Sequence, residues 1–166
     1  MTKINKSGFS HLDKKGNLRM VDIEKKSCTK RRALAYGRIY LKAQVMKLLE
    51  SRKIPKGDVF AAARMAGIMA AKRTDEIIPL CHQLPLEHID VSFKCKTGYV
   101  EVYSEVKCNF KTGAEMEALT SVSIACLTIY DMCKAINKDM IISDICLLEK
   151  TGGKSGRYVK NNGKKT

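Results

Sequence analysis

GAEMEALTSVSIACLTIYDMCKAINK, residues 113–138, reads as one long helix that is apolar nearly all the way round. Such a helix belongs in a core, yet it carries Glu115 and Glu117 in its first turn and Asp131 and Lys134 near its far end. Charge in a core is costly unless it is paired or put to use. Asp131 and Lys134, at i and i+3, share a face and form either a structural ion pair or an acid–base couple. The first-turn carboxylates either complement the helix dipole or line a site. Glu117 and Asp131 are fourteen residues apart, which separates them by roughly 21 Å along a straight helix. Both ends can serve one reaction only if the site lies between subunits, each chain supplying a different end.

Upstream of this helix the hydrophobic period is two. Ile89, Val91, Phe93 and Cys95 alternate with polar residues, Thr97 and Gly98 supply a turn, and Val100, Val102, Ser104 and Val106 alternate again, which predicts a β-hairpin. Asp58 is the expected N-cap of a helix over DVFAAARMAGIMAAKR, and its Ala and Gly residues allow close backbone approach. A further helix is expected from about Thr29 to Ser51, where Leu34, Leu41, Val45 and Leu48 recur on one face. Short apolar segments near Leu18–Ile23 and over MIISDICLL predict a first and a last strand. The order strand, two helices, hairpin, helix, strand implies an α+β fold, one layer of helices on one face of a mostly antiparallel four-stranded sheet.

Length places all 166 residues in a single domain with room for a real core. No apolar run reaches the roughly eighteen residues of a membrane span, and the N-terminus lacks the apolar region of a secretion signal, so a cytoplasmic protein without membrane contact is expected. The seven cysteines agree, being odd in number and never in a C-x-x-C or zinc-ligand spacing. The net charge of +14 is concentrated at the ends: residues 1–32 contribute +7 and residues 151–166 contribute +5. Termini of about 1–17 and 151–166 read as basic, solvated arms. The competing reading, a nucleic-acid-binding module that uses those Lys-rich ends, lacks the interleaved stacking aromatics that single-strand binding favours.

Three further segments carry groups suited to chemistry. LCHQLP sets Cys81 and His82 in a Pro-flanked loop, where His82 is better suited to proton transfer than Cys81 to nucleophilic attack. KGD sets Lys56 beside a helix N-terminus that already favours anions. EKTGGKSG surrounds Lys150 and Lys154 with glycines able to wrap a phosphate, although it is not a Walker A loop. Several loop lysines, one histidine and buried carboxylates describe a site for a phosphorylated small molecule that undergoes proton transfers.

As a set, MVD at residues 20–22, KGDVFAAARMAGIMAAKRTDEIIPLCH at 56–82, KTGAEMEALTSVSIACLTIYDMCKA at 111–135 and LLEKTGGKSG at 147–156 resemble the cyclic pyranopterin monophosphate synthase family of molybdenum cofactor biosynthesis, also called MoaC. The resemblance implies a ferredoxin-like α+β fold. It implies a lyase that converts a cyclised dihydroguanosine triphosphate to cyclic pyranopterin monophosphate and releases pyrophosphate. It implies a homohexamer, a trimer of dimers with intersubunit sites, and neither a cofactor nor a resident metal. Carried onto this sequence, it makes Asp131, Lys134 and Lys56 the catalytic group. Leu80, Cys81, His82, Glu115, Met116 and Glu117 then line the substrate, with Lys150 and Lys154 on the Gly-rich closing segment. Gln83 departs from the family's usual proline after the LCH histidine, and Pro85 follows two residues later.

Overall fold

The computed structural model describes residues 11–13, 15–51 and 54–161. Nine elements follow in order: β1 (Thr29–Tyr40), α1 (Ala43–Glu50), α2 (Val59–Ala71), α3 (Thr74–Ile77), β2 (Leu86–Lys96), β3 (Tyr99–Phe110), α4 (Glu115–Cys133), β4 (Ile141–Thr151) and β5 (Tyr158–Val159). The sheet order is β2-β3-β1-β4-β5, antiparallel throughout. Two crossovers, β1 through α2 to β2 and β3 through α4 to β4, interleave as a split βαβ pair, which is the ferredoxin-like arrangement. The expected α+β class therefore holds, with four long strands and a two-residue fifth strand at the β4 edge.

Two local expectations fail. Residues 29–40 form the central strand β1, and only Ala43–Glu50 of the expected helix is helical. The spacing of Leu34, Leu41, Val45 and Leu48 imitates a helical stripe. The inward set of β1 is instead Ala33, Ala35, Gly37 and Ile39, residues too small for their period of two to stand out. Leu18–Ile23 is not a strand, and its one ladder contact is an isolated bridge between Leu12 and Leu18. The basic residues 1–10 and 162–166 lie outside the described residues, whereas 151–160 fold back to pair β5 with Glu149 and Lys150 of β4.

The core forms between the sheet and the α2–α4 layer. Ile39, Val91, Val100, Val102 and Val106 meet Ala118, Val122, Ala125, Cys126 and Ile129, all fully buried. Each large aliphatic side chain removed from water contributes about 1.5–3 kcal/mol. Close approach matters as much as area. A β-carbon at Gly37 would lie 2.7 Å from Val122 Cγ1, so glycine is what lets α4 settle onto β1. Ser104 donates to Ser121 across the same interface at 2.9 Å, satisfying two hydroxyls with no access to water. Asp58 caps α2 by accepting from the Ala61 main-chain N–H at 3.0 Å. α4 has the length and composition of a membrane span, but it packs on β1, β3, β4 and α2 as the core helix.

Candidate active site at the two ends of one helix

The N-terminal end of α4 opens into a cavity of about 240 Å³ lined by Leu80, Cys81, His82, Glu115, Met116 and Glu117, with His11, Val21 and Lys26 from the segment before β1. The LCH loop and the first turn of α4, far apart in sequence, thus share one wall. His82 Nε2 lies 2.8 Å from the Val21 carbonyl oxygen. A carbonyl can only accept, so Nε2 carries the proton and the Met20–Asp22 segment orients the ring.

Glu117 is the most buried charged group of this wall, at 4% exposure. Its carboxyl is pushed up to about 7, first by burial, against the lowering effect of its own main-chain N–H, and further by the charges of Glu115 and Asp75. Such a group holds or releases a proton near neutrality. The Cys81 thiol is raised by burial and then by Glu117 and Asp75, which keeps it protonated and argues against a thiolate nucleophile.

A second cavity of about 590 Å³ shares Lys26, Thr112, Gly113 and Glu115 with the first and adds Arg31, Lys111, Lys150, Lys154 and Ser155. Among the described residues none of its five cationic side chains has a salt bridge. Lys111 Nζ donates to the Glu24 carbonyl at 2.8 Å, and Lys150 donates to Ser155 Oγ. Sequence reasoning missed Lys26, Arg31 and Lys111. Lys111 was within reach, because it opens the KTGAEME block, whereas Arg31 was hidden by the helical reading of β1.

At the other end of α4, Lys134 Nζ sits 2.6 Å from Asp131 Oδ1 and Lys56 Nζ sits 3.6 Å from Asp131 Oδ2. Lys56 also donates to the Asp131 main-chain carbonyl at 3.0 Å. The Lys134 ammonium, then Lys56, holds the Asp131 carboxyl below the usual carboxylate range, and Asp131 in turn raises Lys134. This trio is solvent-exposed and open to a ligand, with Asp131 and Lys134 each favouring the other's charged form.

The predicted site residues therefore fall into two groups. Asp131, Lys134 and Lys56 come together, and so do Leu80, Cys81, His82, Glu115, Met116, Glu117, Lys150 and Lys154, but α4 keeps the groups about 21 Å apart within one chain. Among the described residues no three His, Cys, Asp or Glu side chains converge as a metal-ligand set.

Comparison with known proteins follows the same blocks. A sequence model of the MoaC family matches residues 20–153. The cyclic pyranopterin monophosphate synthase of Heliobacterium modesticaldum is 54% identical over 154 residues, covering 92% of this chain and 97% of that protein. The proteins of the same name from Desulfitobacterium hafniense and Bacillus subtilis are each 50% identical, covering 93% and 92% of this chain and 95% and 92% of their own lengths. Both ends of α4, the LCH loop and Gly152–Gly153 lie within the matched span, which ends one residue before Lys154, and the chain belongs to the MoaC family.

Proposed function

We propose that this protein converts the cyclised dihydroguanosine triphosphate to cyclic pyranopterin monophosphate with release of pyrophosphate, and that it does so as a homohexamer, a trimer of dimers. One observation carries the reading: a single rigid helix bears a buried carboxyl raised to about 7 at one end and a Lys-Asp-Lys salt-bridged trio at the other. Two such helices from neighbouring subunits complete each other's sites when the C-terminal end of one faces the N-terminal end of the next. The proposed protein acts in the cytoplasm as a single domain over residues 1–166, in keeping with seven unbridged cysteines.

The roles follow from the groups. The lysines of the larger cavity, Lys150 and Lys154 among them, hold the triphosphate, and Lys56 and Lys134 offset charge that builds as pyrophosphate departs. Glu117, with Glu115 and His82 beside it, gives and takes protons as the ring opens and recloses, and Asp131 serves as the ionised base. Purified protein incubated with the cyclised triphosphate should release one pyrophosphate per pterin product formed. Absence of both products with correctly assembled protein would refute the proposal.

A further inference from the structure

Arg31 stands between the segment that carries Lys111 and the one that carries Lys150 and Lys154, three of the lysines of the larger cavity. It lies near the start of β1, paired with Cys108 of β3 on one side, and its neighbour Arg32 pairs with Thr151 of β4 on the other. Its guanidinium donates to two successive carbonyls, from Nε to Phe110 and from Nη2 to Lys111, both at 3.3 Å. Those carbonyls belong to the segment that leaves β3 and enters α4.

The opposite side of the guanidinium is covered by the Gly152–Gly153 turn. Both glycines have left-handed backbone, φ +94° and +72°, and a β-carbon at Gly153 would overlap Arg31 Nη1 while one at Gly152 would overlap the Lys30 carbonyl oxygen. Here glycine is required twice over, by conformation and by space. Unlike Arg32, which pairs with Glu105 and Glu149, Arg31 has no carboxylate partner among the described residues. A guanidinium spanning two carbonyls and packed under a glycine turn does what an ammonium cannot, because its donors are fixed in one plane.

We infer that Arg31 is a positioning residue for the anion site: by joining the Phe110–Lys111 carbonyls to the Gly152–Gly153 turn, it sets Lys111 on one side against Lys150, at the end of β4, and Lys154, just after that turn, on the other. The inference rests on the proposed function for the identity of the anion, and inorganic pyrophosphate, the expected product, serves as the probe.

Calorimetric titration of the assembled protein with pyrophosphate tests it without requiring turnover. Arg31→Ala should weaken binding about tenfold or more, as expected when hydrogen bonds from a charged donor are lost. Arg31→Lys, which keeps the charge, should not restore it. Gly153→Ala keeps every charge but drives a methyl into the guanidinium, and should reproduce the Arg31→Ala loss. The double variant should bind no worse than either single one, since both act through the same bridge. Far-UV circular dichroism and oligomeric size should match wild type in each variant. Wild-type affinity in Arg31→Ala or Arg31→Lys, multiplying losses in the double variant, or no pyrophosphate binding by wild type would each overturn the inference. A separate turnover assay on wild type decides the functional reading independently.

Discussion

Lys56, on the turn before α2, donates to the Asp131 main-chain carbonyl at 3.0 Å while its ammonium sits 3.6 Å from the Asp131 carboxylate. One lysine thereby registers both the end of α4 and the charge displayed there. Asp131 is also held by Lys134, so its carboxylate is fixed between two cations and stays ionised throughout the neutral range. Asp131→Asn keeps the shape but loses the charge and the basicity. Turnover should fall by at least about a hundredfold, the scale of general acid–base catalysis, with oligomeric size unchanged. Lys134→Ala and Lys56→Ala should lose activity in the same assay. Near-normal product formation by Asp131→Asn would remove that residue from the chemistry.

Glu117 predicts a pH dependence of opposite sense. Its folded-state value, about 7, lies above the 4.5 of an ordinary glutamate, so the folded protein binds the extra proton between those limits. The resulting stability is fully present below about pH 4.5 and is lost as pH rises through 7, a difference of up to about 3 kcal/mol. Denaturant melts of wild type against Glu117→Gln across this range should converge at high pH in slope, with the variant lacking the decline. In the activity assay, the kcat/KM profile of wild type should show a limb near pH 7, while Glu117→Gln should stay at least about a hundredfold below wild type at every pH. Parallel pH–stability curves for the two proteins would count against a buried, titrating Glu117.

Much of this architecture was legible in the sequence, for identifiable reasons. The hairpin declared itself because its inward residues, Val91, Val100, Val102 and Val106, are β-branched and flanked by charge, so the period of two was audible. α2 was bracketed by Asp58, and α4 by its length. β1 was misread because its inward positions are Ala33, Ala35 and Gly37, chosen for close packing under α4 rather than for hydrophobicity. That misreading also hid Arg31, since a helix would have placed it away from the Lys111 and Gly152 loops. The division of the site residues into two sets was foreseeable from helix length alone, whereas the cavity that gathers Lys26, Arg31, Lys111, Lys150 and Lys154 depends on strand register.

Gly37 gives a stability prediction that leaves the chemistry aside. A methyl added there would meet Val122 Cγ1 at 2.7 Å and Ile145 Cγ1 at 3.3 Å, at the centre of the β1–α4 contact. Val122 is branched and fully buried and cannot yield, whereas Ile145 is partly exposed and can, so the strand and helix must part slightly at Val122. Gly37→Ala should cost about 1–3 kcal/mol, the usual penalty for overpacking, as read from the midpoint of denaturant unfolding. Its kcat, measured well below the melting temperature, should stay within about twofold of wild type, because Gly37 lines neither cavity and touches none of the end groups. A stabilised Gly37→Ala would mean that this interface has slack.

The separation of the two groups along α4 leads to a test by mixing. Asp131→Asn inactivates the trio at the C-terminal end, and Glu117→Gln removes the titrating carboxyl at the N-terminal end, about 21 Å away on the same helix. If each site draws one end from each of two subunits, a dimer made of one variant of each kind has one site with both defects and one site with neither. Random co-assembly makes half the dimers mixed, so co-expressed chains should recover about a quarter of wild-type turnover although neither variant alone is active. If each chain carried a complete site, every subunit in the mixture would hold one defect and no activity would return. Recovery should also require co-assembly, and mixing purified homo-oligomers under conditions that block subunit exchange should leave the mixture inactive.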